Sequence, residues 1–293
     1  MLQVRSLSRS FQGNKVLKDL SFDAAPGRIT GFVGANGSGK TTTMRIILGV
    51  LAADEGTVTW RGGRITQQVR QRFGYMPEER GLYPKMKVGE QIVYLGRLHG
   101  LDLATAQRNT ATLLDRLELT ERANDPVERL SLGNQQRVQI CVALVHEPDL
   151  LILDEPFSGL DPLAIETVLG VLRAQAARGV PVLFSSHQLE LVERLCDDLV
   201  IISGGSVAAG GDRRSMQARF SASRFELVVD ADAGWVRDLP GVEVVELDGA
   251  RVVFDVTSAD RAQAVLQAAV QRGPVRGFGA VVPSLAEIFR EVI

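Results

Sequence analysis

An α/β fold with a mixed sheet, followed by a second and smaller α/β domain, is predicted for this chain of 293 residues. Three observations predict it. The runs "DLLILD", "VPVLFSS" and "DLVIIS" are apolar segments of strand length, separated by helical patterns, as in a mostly parallel sheet covered on both faces. Residues 2–33 read as short strands between turns, the first of them alternating apolar and polar positions. Finally, "AAGGDRRSMQARFSASR" breaks the pattern with Gly, Ser and Arg, and new strands and helices follow it.

In order, "LQVRSLSRSF", the polar turn "QGNK" and "LSFDAAPGRITGFVG" read as short strands, with Pro26–Gly27 turning the chain into the apolar strand "RITGFVG". A helix is expected from Thr41 to about Val50, then strands near "GTVTW" and "RFGYM". From Val88 to His146 apolar positions recur at helical spacing, including Ile92, Leu95, Leu98, Leu113, Leu114 and Leu117. Helices "LAIETVLGVLRAQAAR" and "QLELVERLCD" separate the later strands. After the break, "FELVVD", "VEVVEL" and "RVVFDV" read as strands, and "ADRAQAVLQAAVQR" and "SLAEIFREVI" as helices. A ferredoxin-like arrangement of about 70 residues would fit that order. The expected division is a domain over 1–212 with a helical subdomain at about 88–146, a solvated linker over 213–223, and a small domain over 224–293.

Hydrophobic content of 45% and charged content of 23% are those of an ordinary globular protein. A net charge of −2 supplies no basic field for nucleic acid or an anionic membrane. The N-terminus shows no signal-like apolar core, and no run is long enough to span a bilayer. Any membrane role would pass through another chain. Cys141 and Cys196 lie in apolar helical surroundings, so reduced thiols are the simplest reading and one disulfide the alternative.

"GANGSGKT" satisfies G-x-x-x-x-G-K-[ST] between an apolar strand and a helix. Gly34, Gly37 and Gly39 allow a tight loop; with Asn36, Ser38, Lys40, Thr41 and Thr42 it would surround phosphate oxygens. Lys40 would reach the terminal phosphates, and Thr41 would join the shell of a Mg²⁺ ion. "LLILDE" ends in two adjacent acids: Asp154 for the Mg²⁺ shell, Glu155 to orient or deprotonate a water. A second loop, "LSLGNQQRV", stands before another predicted helix and offers another anion site.

With "GANGSGKT", "LSLGNQQ", "LLILDEP", "SGLD" and "SSH" in this order, residues 1–212 resemble the nucleotide-binding subunits of ATP-binding-cassette (ABC) transporters. The resemblance implies a P-loop NTPase fold with an antiparallel β subdomain and a helical subdomain, binding ATP with Mg²⁺ and hydrolysing it. It implies that Phe11 stacks on adenine, that His187 contacts the terminal phosphate, and that Ser158–Asp161 links two sites across a dimer. Asp161 and the loop residues Ser131, Gly133 and Gln135 would then serve a nucleotide held mainly by a second subunit. Leu132 and Asn134 depart from the family's leucine-serine-glycine-glycine-glutamine, which leaves backbone donation intact. Glu78 stands where the family has a glutamine that senses Mg²⁺ and the attacking water. As a metal-site carboxylate it either keeps that role with altered tuning or has been released from it; retention is the expectation.

The same resemblance implies a second ATP-binding subunit in a homodimer and a separate transmembrane permease. That permease would dock near Glu78–Met86 through Leu82, Tyr83 and Met86, or those side chains form a local mini-core. The chain would then sit on the cytoplasmic face of the membrane. The tail resembles the extra domain of bacterial drug- and sodium-export ATPases, which favours export. Two alternatives stand beside this reading: an ABC ATPase acting on nucleic acid or the ribosome, and a non-hydrolytic ATP-dependent binding module. Against the first, Lys40 and Ser131 are 91 positions apart without sustained heptads; against the second, Glu155 is present.

Overall fold

The computed structural model describes residues 1–79, 81–221, 224–282 and 284–292. Positions 222 and 223 of the expected linker, 80 of the expected docking segment, and 283 and 293 of the tail lie outside the described residues. The chain forms two compact units, Met1–Gly211 and Asp212–Ile293.

The first unit opens with β1 (Leu2–Phe11), β2 (Asn14–Ala24) and β3 (Ile29–Gly34), then α1 (Lys40–Ile47), β4 (Glu55–Trp60), β5 (Gly63–Arg64), α2 (Gln67–Arg70) and β6 (Phe73–Met76). A helical lobe follows: α3 (Val88–Leu98), α4 (Leu103–Arg116) and α5 (Leu132–Leu144). The chain then alternates through β7 (Leu150–Leu153), α6 (Pro162–Ala177), β8 (Val182–Ser186), α7 (Leu189–Leu195), β9 (Asp198–Ser203) and β10 (Ser206–Asp212). One sheet runs β2-β1-β4-β5 and is antiparallel; the other runs β10-β9-β3-β8-β7-β6, with its β9-to-β6 pairs parallel. Every residue of β3, β7 and β8 is buried, as befits central parallel strands covered on both faces.

The two sheets share one core, in which Leu2, Val4, Leu7 and Phe22 meet Phe32, Met44, Ile47 and Ile152. Phe22 and Phe32 pack with ring centroids 5.0 Å apart. The segment "AAGGD", expected to lie in the break, instead continues the sheet as β10, since the Gly204–Gly205 turn returns the chain alongside β9. Cys141 and Cys196 are buried and form no disulfide, so the disulfide alternative is not realised.

At the far end of the helical lobe the rings of His99 and His146 stack with centroids 3.7 Å apart. His99 Nδ1 lies 2.9 Å from the Gln71 carbonyl and His146 Nε2 3.1 Å from that of Phe73, so the pair ties the ends of α3 and α5 to the entry of β6. Burial, reinforced by the His99 ring, pushes the His146 imidazole down from 6.5 to about 4. Its folded value lies below its unfolded value, so the stabilisation is complete above pH about 6.5 and is lost as pH falls toward 4. That shift corresponds to a loss on the order of 1–3 kcal/mol. The melting temperature should therefore drop by several degrees between pH 7 and pH 5, and His146→Gln should flatten the drop; equal pH slopes for both proteins would refute this origin.

The second unit begins with α8 (Arg213–Ser221), so the expected solvated linker is helical over these residues; α8 packs on the strand that follows. Then come β11 (Arg224–Val229), a 3₁₀ turn at Gly234–Asp238, β12 (Val242–Asp248), β13 (Arg251–Val256), α9 (Ala259–Arg272), β14 (Val275–Ala280) and α10 (Leu285–Val292). The sheet order β12-β13-β11-β14, antiparallel throughout, is the ferredoxin-like order with its first crossover helix reduced to the 3₁₀ turn. Leu227, Val252, Phe254 and Val265 form its core. The β14 segment "VRGFGA" was not expected as a strand; its two glycines oppose Val228 and Glu226 and lower its strand signal.

Candidate functional site

β3 delivers Gly34 into a loop that Gly39 closes in the left-handed region, φ 107°, as the cap of α1. A side chain at Gly34 would meet the Ser38 hydroxyl and the Ile202 carbonyl, and one at Gly39 would strike Leu17, so both positions require glycine. No side chain caps α1 and no acid lies in its first turn. Its leading N–H groups and partial positive charge are thus left for an anion. Lys40 is buried along the loop, its ammonium donating to the carbonyls of Gly34 at 2.7 Å and Ala35 at 3.2 Å. Ser38 Oγ is buried with no hydrogen-bond partner.

Facing this loop is the end of β7. Thr41 Oγ1 donates to Asp154 Oδ2 at 2.7 Å, and the Ser185 hydroxyl donates to Asp154 Oδ1. Glu155 follows with φ 51°, a left-handed backbone for a non-glycine residue that costs roughly 1–3 kcal/mol where nothing supports it. Its carboxylate is nearly buried and meets His187 Nδ1 at 3.0 Å, while the His187 side chain is 58% exposed. Phe11, Asn36, Gly37, Thr42 and Glu78 line the same cleft of about 510 Å³ as Lys40, Thr41, Asp154 and Glu155. Arg9 lies over the Phe11 ring, 4.9 Å from its centroid. Behind the site, burial and then the Asp154 carboxylate raise the Tyr75 phenol above its usual range.

The remaining expected residues are placed elsewhere. Ser131 caps α5, its hydroxyl accepting from Asn134 N–H at 3.3 Å, and neither it, Gly133 nor Gln135 lines the cleft. Gln135 donates to the carbonyls of Val127 and Leu130, and a side chain added at Gly133 would press on the Gly159 carbonyl. Asp161 caps α6 by accepting from Ala164 N–H at 2.8 Å, with Pro162 at the first helical position. The departure at Asn134 gains an account: its side-chain oxygen accepts from Arg137, which also donates to the Leu117 carbonyl and so ties α5 to the end of α4. Leu132 is 58% exposed, and nothing in the structure explains it. Of the three side chains expected to dock, Tyr83 is exposed, while Leu82 and Met86 are half-buried. Gln91 grips Tyr83 through both its N–H and its carbonyl.

Two residues next to the catalytic candidates escaped the sequence reading: Ser185, inside the quoted "SSH", and Gln136, inside "LSLGNQQRV". Both sit in motifs whose other members drew the assignment. Among the described residues no group of three His, Cys, Asp or Glu side chains is arranged to hold a metal ion, and no helix is long and apolar enough to cross a membrane.

Comparison with known proteins gives two family matches: the ABC transporter family over residues 17–158, and the C-terminal domain of ATP-binding proteins like DrrA1-3 over residues 211–293. The ABC transporter ATP-binding protein YhaQ of Bacillus subtilis (strain 168), itself uncharacterized, is 38% identical over all of this chain and 98% of its own length. The linearmycin resistance ATP-binding protein LnrL of the same organism is 32% identical, covering 90% of this chain and 88% of LnrL. Among solved structures, an ATP-binding subunit of an ABC transporter superposes with a TM-score of 0.70 at 34% identity, over 75% of this chain and 93% of that one.

Proposed function

Since the chain belongs to the ATP-binding proteins of ABC transporters, we propose that it hydrolyses ATP as a Mg²⁺-dependent dimer and thereby drives a separate transmembrane subunit in export. The observation that carries the proposal is the Thr41–Asp154 contact, with Glu155 and His187 beside it at the mouth of the phosphate loop. Thr41 hydroxyl and Asp154 carboxylate are hard oxygen donors, with Glu78 in the same cleft, and this donor set fits Mg²⁺. When bound, Mg²⁺ would neutralise charge on the β- and γ-phosphates.

The chain's own groups account for the rest. Gly37, Gly39 and the start of α1 cradle the phosphates through N–H donors, and Lys40 turns from its loop carbonyls to the terminal phosphate. Glu155 takes a proton from water as the water oxygen bonds to the γ-phosphorus; the bond from that phosphorus to the β–γ bridging oxygen breaks, releasing ADP and phosphate. His187 steadies the Glu155 carboxylate and meets the γ-phosphate. Phe11, with Arg9 behind its ring, offers a stacking face to adenine.

Ser131, Gly133, Gln135 and Asp161 act on the ATP of a second copy, because in their own chain they lie off the cleft. Export is supported by the second unit's match and by a relative named for resistance. Docking near Tyr83 would hold the chain on the cytoplasmic face of the membrane.

Phosphate release by the full chain with ATP tests the proposal: Mg²⁺ should support steady turnover, and EDTA should lower it at least 100-fold. Background release with Mg²⁺, both alone and with a co-purified membrane subunit, would leave a non-hydrolytic binding module instead.

A further inference from the structure

The left-handed backbone of Glu155 is supported from both of its ends. Its N–H donates to the Ser185 hydroxyl at 2.9 Å. Its carbonyl accepts from the Gln136 side-chain amide at 3.0 Å. Ser185 lies in β8 and is fully buried; Gln136 lies on α5, five residues beyond Ser131, and is also buried. Neither lines the nucleotide cleft.

The Ser185 bonds have a fixed polarity. A serine hydroxyl carries one proton. Given to Asp154 Oδ1, it leaves the oxygen lone pairs to accept the Glu155 N–H. One hydroxyl therefore sets the spacing between the two acids at the tip of β7. Gln136 then fixes the following peptide, so rotation about the Glu155 backbone is blocked on both sides. With the main chain held, the carboxylate reaches toward the cleft and His187.

We propose that Ser185 and Gln136 are positioning residues for hydrolysis, holding the Glu155 backbone from its two ends so that its carboxylate is aimed at the attacking water. The inference rests on the reading of Glu155 as the base that deprotonates water. It also gives α5 a second task. The helix whose first turn carries the loop for a partner's ATP grips this chain's own base, so displacement at Ser131 reaches Glu155 through a single side chain.

The test compares full-length wild type with Ser185→Ala, Ser185→Thr and Gln136→Leu. Steady ATP turnover and equilibrium binding of a slowly hydrolysed ATP analogue are measured for each. Ser185→Ala and Gln136→Leu should each lower kcat tenfold or more, with KM for ATP and analogue affinity within about twofold of wild type. Ser185→Thr keeps the hydroxyl and should recover at least a third of the wild-type kcat. Unchanged kcat in both Ser185→Ala and Gln136→Leu would overturn the inference, as would affinity losses as large as the losses in kcat. If one variant does not fold, the other still decides. Absence of turnover in wild type would overturn the hydrolytic reading and this inference with it, a failure distinct from an active wild type with indifferent variants.

Discussion

Glu155→Gln is expected to lower steady ATP hydrolysis by about 100- to 1,000-fold, within the range a positioned general base supplies. The substitution keeps the volume of a nearly buried side chain, and the backbone bonds to Ser185 and Gln136 do not involve the carboxylate, so the fold should be retained. It removes the carboxylate held beside His187 at the cleft, while the adjacent Asp154 is already engaged by Thr41 and Ser185. ATP should still bind. Bound but uncleaved, it should hold two chains together, so the variant should elute as a dimer in ATP and Mg²⁺ and as a monomer without nucleotide. Phosphate release and size-exclusion chromatography check both halves. Turnover near wild type would remove Glu155 from the chemistry, and rapid monomer–dimer exchange in ATP would count against closure by bound nucleotide.

Ser131→Arg should separate binding from catalysis. In the single chain Ser131 lies off the cleft that holds Lys40 and Thr41, so the isolated protein should bind ATP within about threefold of the wild-type affinity. Losing the cap on α5 costs about 1 kcal/mol, and a cation at a helix start opposes its dipole, neither enough to unfold a domain of this size. Hydrolysis and ATP-driven dimer formation, by contrast, should fall below about 1% of wild type, because the bulky cation fills the space where a partner's phosphates would sit. Isothermal titration, phosphate release and light scattering together read the outcome. A collapse of ATP affinity in the isolated chain would mean that the loop works within its own subunit.

Much of the site was legible along the chain because its signals are local. Gly34, Gly39, Lys40 and Thr41 fall within eight residues, and a glycine loop between an apolar strand and a helix has few other uses. Asp154 and Glu155 follow a fully apolar strand, so their emergence at a strand tip could be read directly. The helical lobe was legible from its 3.6-residue periodicity. Segments whose local signal is weak were not. In β10 "AAGGD" is poor in strand formers and is held by pairing with β9, while α8 was masked by arginines and serines that suit a loop equally well.

Spacing and residue type predicted a phosphate loop, a divalent-cation shell and a pair of acids, and the five ordered motifs pointed to the family that the comparisons show. Which groups orient which was settled only by folding. Pairing of β7 with β8 sets Leu153 against Phe184, and this register brings Ser185 beside Asp154 and Glu155 from 30 residues away in sequence. Packing of α5 against β6 brings Gln136 to the Glu155 carbonyl across 19 residues and leaves Ser131 off the cleft. Periodicity and motif spacing report what a segment becomes; a hydrogen bond between distant segments depends on strand register and helix placement, which the burial of the whole core selects.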